Sequence, residues 1–274
     1  MEEMNLFGSV EHNDDNTDKW VELPDNPTNQ DMLDYMVLVI ARYVSCDKAF
    51  KGGYMLNQLL PSESRMTHDA DFSIAKKEDY DEIKNILVKI AQKFKKNGLI
   101  KTYKVKDEIT ETSSGGIDIY DMQGVKILGV DVGLHDISWG VKSYDFKIVT
   151  SKAFEVERML SDKVTAITTR KRFRRTKDLY DVFVITSNFD FDYKKLQQYV
   201  AMHDTVQWEN LPFSEEILVQ YEHAWDKLIL TNMLGENLNK PAFNIVLKRY
   251  YDIAMSLKYD EIHEKWQHTL LSWR

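Results

Sequence analysis

The chain has 274 residues, 43% of them hydrophobic and 12% aromatic, enough to fill a sizeable core. Its formal charge of −8 argues against a surface that grips nucleic acid all over, and the single cysteine, Cys46, excludes an internal disulfide and a cysteine-based zinc cluster. No run approaches 18 apolar residues and the opening MEEMNLFGSVEHNDD is acidic and polar, so neither a membrane span nor a signal peptide is expected and the expected location is the cytoplasm.

In chain order, residues 1–27 read as an irregular arm rich in Asp, Asn, Glu and Pro. From Gln30 to Val44, Leu33, Met36, Val37, Ile40 and Val44 recur at helical steps and predict a helix with one buried face. Gly52-Gly53 predicts a turn opening into a short helix. Asp69 to Ile74 reads as a strand, and Asp81 to Phe94 as a helix ended by Gly98. Short alternating runs predict strands at Leu99–Val105, Gly116–Met122 and Val125–Val132, the last two joined by a turn at Gln123-Gly124. One more strand is predicted at Tyr144–Val149, and beyond it only helices: Phe154–Arg170, Leu179–Thr186, Tyr193–Met202, Glu215–Asn232, Ala242–Lys258 and Glu261–Ser272. Ser214 is an expected N-cap, and Pro241 an expected first helical residue. The fold class is α+β, with a mixed β-sheet front over residues 1–150 and an all-helical region over 151–274.

Chemistry concentrates around FKGGYMLNQLLPSESRMTHDADFSI. On a strand, Asp69 and Asp71 point the same way with Cα atoms about 6.5 Å apart. Converging carboxylates suit Mg²⁺, which takes oxygen ligands and leaves positions for water and phosphate. A third carboxylate would complete a two-metal site, and the candidates are Asp131 and Asp118. Asp131 is preferred as a lone charge in the apolar strand KILGVDVGL, costly to bury without a cation or donor. Gly52-Gly53 at a helix start would offer free backbone N–H groups to a triphosphate beside that metal site. Taken alone, Asp-x-Asp is an ordinary solvated pair and a glycine pair an ordinary turn.

Together, Lys51-Gly52-Gly53 and Arg65-Met66-Thr67-His68-Asp69-Ala70-Asp71-Phe72 resemble the signature of the nucleotidyltransferase superfamily, and specifically its AbiEii/AbiGii toxin branch. Glu157 to Lys163, Arg170 and Lys177-Asp178-Leu179-Tyr180-Asp181 are similar to that branch's later motifs, so the resemblance spans Phe50 to Ile185. Thr67 stands where branch members usually carry serine and Lys177 where they carry arginine. The second glycine is often serine in the wider superfamily, and the loop from Tyr54 to His68 is long for it.

The resemblance implies a nucleotidyltransferase-like sheet with flanking helices that moves NMP from an NTP to a macromolecular acceptor, an RNA such as tRNA or a protein. It implies Mg²⁺ (or Mn²⁺) on Asp69, Asp71 and Asp131, nucleotide contacts from Lys51, Gly52, Gly53, Arg65 and Thr67, Lys163 on the phosphates, and Asp178 as a further active-site carboxylate. It also implies a toxin of a toxin–antitoxin or abortive-infection pair with a cognate antitoxin.

Alternatives read from the residues stay beside these. Lys163, on the apolar side of its helix, either snorkels out or meets an anion. Asp178 is a base for the acceptor hydroxyl, an N-cap, or both. Arg65 binds phosphate or pairs with an acid. His68 touches the nucleotide or faces away from Asp69. From Lys163 to Lys177 the chain carries seven Lys or Arg residues and no acid, either a solvated face or a groove that steers NTP or an RNA backbone, with Phe173 stacking on a base or packing in the core. The tail tryptophans Trp225, Trp266 and Trp273 read as packing residues. Two rival functions are a nucleotide-binding module that has lost turnover and a small-molecule nucleotidyltransferase, acting for instance on an aminoglycoside.

Overall fold

The structure, a computed structural model, describes residues 21–146, 148–169, 175–204, 206–211, 215–230 and 240–274. The expectations for most of the N-terminal arm, Arg170, Phe173, Ser214 and the end of the Glu215–Asn232 helix lie outside these residues.

Helix α1 (Asn29–Tyr43) starts at a capping box in which the Thr28 hydroxyl accepts from the Asp31 N–H and the Asp31 carboxylate accepts from the Thr28 N–H. Its stripe Leu33, Met36, Val37 and Ile40 is buried, as the periodicity requires. Strand β1 (Lys48–Lys51) follows, then α2 (Gly52–Leu59), β2 (Asp69–Ile74), α3 (Tyr80–Lys96), β3 (Thr102–Lys106), β4 (Gly115–Tyr120) and β5 (Lys126–Leu134). The turn between β4 and β5 forms as predicted: Asp121 Oδ1 accepts from the N–H groups of Gln123 and Val125, and Gly124 takes φ +80°.

Strands β6 (Val141–Asp145) and β7 (Thr150–Phe154) flank a tight turn closed by Phe146 N–H to Val149 O. The strand predicted at Tyr144–Val149 was centred on that turn. Together these strands form a seven-stranded mixed sheet ordered β3-β4-β5-β2-β1-β7-β6, with β2–β5 and β1–β7 parallel. The sheet thus continues through residue 154, past the expected boundary at 150.

Helices α4 (Val156–Ile167), α5 (Thr176–Asn188), α6 (Tyr193–Ala201), α7 (Glu215–Leu230) and α8 (Phe243–Lys258) make up the back, where α4 packs on α5 and α6. Pro241 precedes the α8 N-cap, Ala242, and so stands outside the helix. Three short strands, β8 (Phe191–Asp192), β9 (Lys265–Gln267) and β10 (Ser272–Trp273), correct the expectation of an all-helical back.

The helix predicted at Glu261–Ser272 is therefore a β-hairpin. Trp266 is fully buried, stacks on Phe191 at 5.8 Å between ring centroids, and donates its indole N–H to Thr186 O at 2.8 Å. Leu270 and Leu271, which a helical stripe would bury, are exposed on the turn, with Leu271 at φ +53°. Indole burial outweighs the helical spacing, a tertiary override of a local pattern.

The sheet's two faces divide the labour. On β2 and β5, Ala70, Phe72, Ile74, Val130 and Val132 are fully buried on the face covered by α1 and α3. The alternate residues Asp69, Asp71 and Asp131 project from the opposite face, toward α4 and α5.

Candidate active site

Strand register assembles the site. Across five adjacent strands, Lys106, Gly116, Asp131, Asp71 and Lys51 stand in one row, each the direct partner of the next. The next row places Asp118, Gly129 and Asp69 side by side. Four carboxylates therefore share one face, on three neighbouring strands.

The glycines open space above them. Gly52 begins α2 at φ +76°, and a Cβ there would overlap the Asp71 carboxylate. A Cβ on Gly53 would lie 2.6 Å from Arg65 Nη2. The glycine turn thus rests on Asp71 and Arg65, with the free N–H groups of the first α2 turn at its rim.

The ten residues to which the resemblance assigns site roles line one cleft of ≈ 320 Å³: Lys51, Gly52, Gly53, Arg65, Thr67, Asp69, Asp71, Asp131, Lys163 and Asp178; the alternative third carboxylate, Asp118, does not. Arg175 and Lys177, both in the basic run, also line it, joined by residues that sequence reasoning missed: Met159, Asp162 and Ala166. On α4, Met159, Asp162, Lys163 and Ala166 recur at three- and four-residue steps, a signal that could have been read as a second face beside the buried stripe.

Burial pushes the Asp71 carboxyl above the usual carboxylate range, with Lys51 and Lys163 opposing. Burial likewise pushes the Lys51 ammonium below the usual lysine range, and Lys51 Nζ approaches His135 Nε2 at 3.3 Å. Its own burial, and after it the Lys51 charge, hold His135 down to about 4.

Lys163 meets an anion rather than snorkelling: its ammonium reaches Asp178 Oδ1 at 2.9 Å and Asp181 Oδ2 at 2.7 Å. Burial works against the charged amine, but these two carboxylates outweigh it and hold Lys163 above the usual lysine range. Arg65 pairs with an acid, donating Nε and Nη2 to the two oxygens of Asp181 at 2.9 and 3.0 Å. Asp181 is buried, yet Arg65 and Lys163 pull it down to about 2.

Asp178 is not an N-cap. Helix α5 starts at Thr176 with Arg175 in the capping position, so Asp178 lies in the first turn, where a carboxylate complements the dipole. The Thr67 hydroxyl is engaged locally, donating to Asp69 O at 3.0 Å. His68 is exposed and does not line the cleft.

Oxygen donors on adjacent strands, with Asp71 driven by burial to seek a cation, fit a hard divalent ion. As they stand, no three Asp, Glu, His or Cys side chains among the described residues are gathered closely enough to enclose one. Asp131 and Asp69 are instead engaged by lysines. Lys106 reaches Asp131 at 2.5 Å and Asp118 at 3.2 Å, while Lys126 reaches Asp69 at 2.9 Å and Asp118 at 2.8 Å.

A mixed sheet that sets acids on adjacent strands beneath a glycine turn, closed by a helical back carrying an ion-paired lysine, defines the nucleotidyltransferase class of enzymes. Residues 44–249 match the family described as nucleotidyl transferase AbiEii toxin of type IV toxin–antitoxin systems, and the chain belongs to that family. The fold is similar to that of MenT4, a nucleotidyltransferase toxin from Mycobacterium tuberculosis H37Rv, with a TM-score of 0.52 and 14% identity over 84% of each chain. It is also similar to JHP933 from Helicobacter pylori, with a TM-score of 0.41 and 13% identity over 85% of this chain and 91% of that one. No curated protein matches the chain. Among the described residues no helix is long and apolar enough to cross a membrane.

Proposed function

We propose that this nucleotidyltransferase uses Mg²⁺ to transfer NMP from an NTP to a hydroxyl of an RNA or protein acceptor, as a cytoplasmic toxin held in check by a cognate antitoxin. The observation that carries the reading is the register that puts Asp71 and Asp131 side by side beneath the glycine turn, with Lys163 across the cleft.

In this reading the α2 N-terminus and Lys51 bind the triphosphate, and Asp69, Asp71 and Asp131 would hold the metal. Mg²⁺, when bound, supplies charge neutralisation on the phosphates. Positioning does most of such a transfer, so the residues' task is to hold the α-phosphate in line with the acceptor oxygen. The new bond joins that oxygen to the α-phosphorus, the bond to the bridging oxygen breaks, and pyrophosphate leaves. Asp131, beside Asp71 in the row, accepts the hydroxyl proton.

Lys163 is charged and fixed by Asp178 and Asp181, so it presents a set cation to the phosphates. Arg65 acts beneath the turn, clamped to Asp181, and Asp178 acts through Lys163. Arg175 and Lys177 at the rim favour a polyanionic acceptor over a small molecule.

The test is incubation of the purified protein with Mg²⁺, each α-labelled NTP in turn, and total RNA and protein, beside Asp71→Ala. Label in one macromolecular band, lost in the mutant, identifies the acceptor class. Nucleotide binding without transfer to any macromolecule would overturn the acceptor assignment.

A further inference from the structure

Lys106 and Lys126 have no place in the scheme above, yet they pair with two of its three metal carboxylates, Asp131 and Asp69. Each lysine spans two acids: Lys106 bridges Asp131 and Asp118, and Lys126 bridges Asp69 and Asp118. Asp118 is the shared anchor, its side chain only 14% exposed.

The backbone is shaped for these reaches. Neighbouring strands lie about 4.8 Å apart, so Lys106 must cross the whole of β4 to meet Asp131 on β5. The residue between them in the row is Gly116, which presents no side chain to cross. The Lys106 strand end is pinned, because the Tyr80 hydroxyl accepts from the Gly116 N–H and donates to the Lys106 carbonyl. Gly129 repeats the device between Asp69 and Asp118. A Cβ there would lie 2.8 Å from Asp69 Oδ1 and 3.0 Å from Asp118 Oδ1, where both carboxylates meet the Lys126 ammonium.

Four carboxylates on three adjacent strands would repel one another without counter-charge. We infer that Lys106 and Lys126 are built-in counter-ions of the metal site: they neutralise Asp69 and Asp131 in the metal-free protein, and a divalent ion loads by displacing both ammonium groups onto Asp118. The inference rests on the assignment of Asp69, Asp71 and Asp131 as the metal carboxylates. Its consequence is that free metal binds weakly, since it must compete with two tethered cations, whereas metal carried by a triphosphate brings extra ligands and prevails. Neither lysine needs to touch the nucleotide for this role.

The experiment titrates Mn²⁺ into the full chain without nucleotide, following free Mn²⁺ by electron paramagnetic resonance. Lys106→Met, Lys126→Met, Lys104→Met and Asp71→Asn are compared with wild type, and each variant is melted in chelator. Lys104 is the control, since it stands opposite Asp118 in the register but makes no ion pair to any of the four acids.

The expected result is Mn²⁺ binding tightened by roughly fivefold in both Lys106→Met and Lys126→Met, the equivalent of one partly exposed ion pair. Both variants should also melt lower than wild type in chelator and recover on adding Mn²⁺, while Lys104→Met stays within about twofold of wild-type affinity. Unchanged or weaker Mn²⁺ binding in the two variants overturns the inference, as does an equal tightening in Lys104→Met, which would reduce the effect to the general field of the sheet. Asp71→Asn separates the two levels: if it binds Mn²⁺ as wild type does, the metal assignment itself falls and the inference with it.

Discussion

Arg65 and Lys163 are the residues on which the cleft's geometry depends most directly. Arg65 is buried and the Lys163 side chain is 12% exposed, and both end on Asp181, which accepts from Arg65 and pairs with Lys163. Removing one cation leaves buried carboxylate charge uncompensated. Arg65→Met should therefore cost about 3–5 kcal/mol of stability, read from urea unfolding, despite preserving side-chain volume. A loss under about 1 kcal/mol would mean that the pair is solvated on the timescale of unfolding.

His135 supplies a pH prediction of a different kind. Its folded pKa of about 4 lies below its ordinary 6.5, so the unfolded chain binds the proton more readily. Its contribution is fully present above about pH 6.5 and lost as pH falls toward 4. The wild-type unfolding midpoint should drop between pH 7.5 and pH 5 by more than that of His135→Asn. Asp181, held at about 2, adds a separate loss only below about pH 4.

At this scale the sequence revealed candidate residues whose spacing is local: two glycines, alternate aspartates, a lysine on a helix and an aspartate cluster downstream. It was silent on Lys106, Lys126 and Asp162. Their neighbours are set by strand pairing or by the second face of α4, and no short-range spacing encodes which strand lies beside which.

Among elements, the hairpin β9–β10 shows where periodicity misleads. Trp266, Leu270 and Trp273 fall at steps that a helix would also use, and only burial of the indole against Phe191 decides between the two. Trp266→Ala should cost about 3–5 kcal/mol, since it empties a large fully buried volume and orphans the Thr186 carbonyl. If the hairpin were an ornament on a helical tail, the same change would barely move the urea midpoint.

Strand β1 escaped notice for another reason. KAFK is four residues long, and its two buried side chains are adjacent in sequence, so no alternation stood out. Yet β1 delivers the chain to Gly52 and pairs Lys51 with Asp71. The helices α1 and α3, by contrast, carry long stripes and a defined start or stop, and their places were legible to within a residue or two.

For the whole molecule, front and back are interlocked. Strand β7 pairs in parallel with β1, Arg65 reaches Asp181, and the Tyr180 hydroxyl donates to Glu63 O. A chain ended after residue 149 would lose β7, expose the backbone of β1 and leave Arg65 without its acid. It should show no cooperative thermal transition and a poorly dispersed amide spectrum. A dispersed spectrum from that fragment would mean that the sheet folds without its helical back.

The Arg65–Asp181 clamp joins residues 116 positions apart. A ribosome adding about 5–20 residues each second needs roughly 6–23 s to go from one to the other. Gly52 and Gly53 precede that interval, Asp69 and Asp71 are added at its start and Asp131 midway, whereas the helix carrying Asp178 and Asp181 is made last. The acid that fixes Arg65 is therefore supplied only once the second half of the chain has been synthesised.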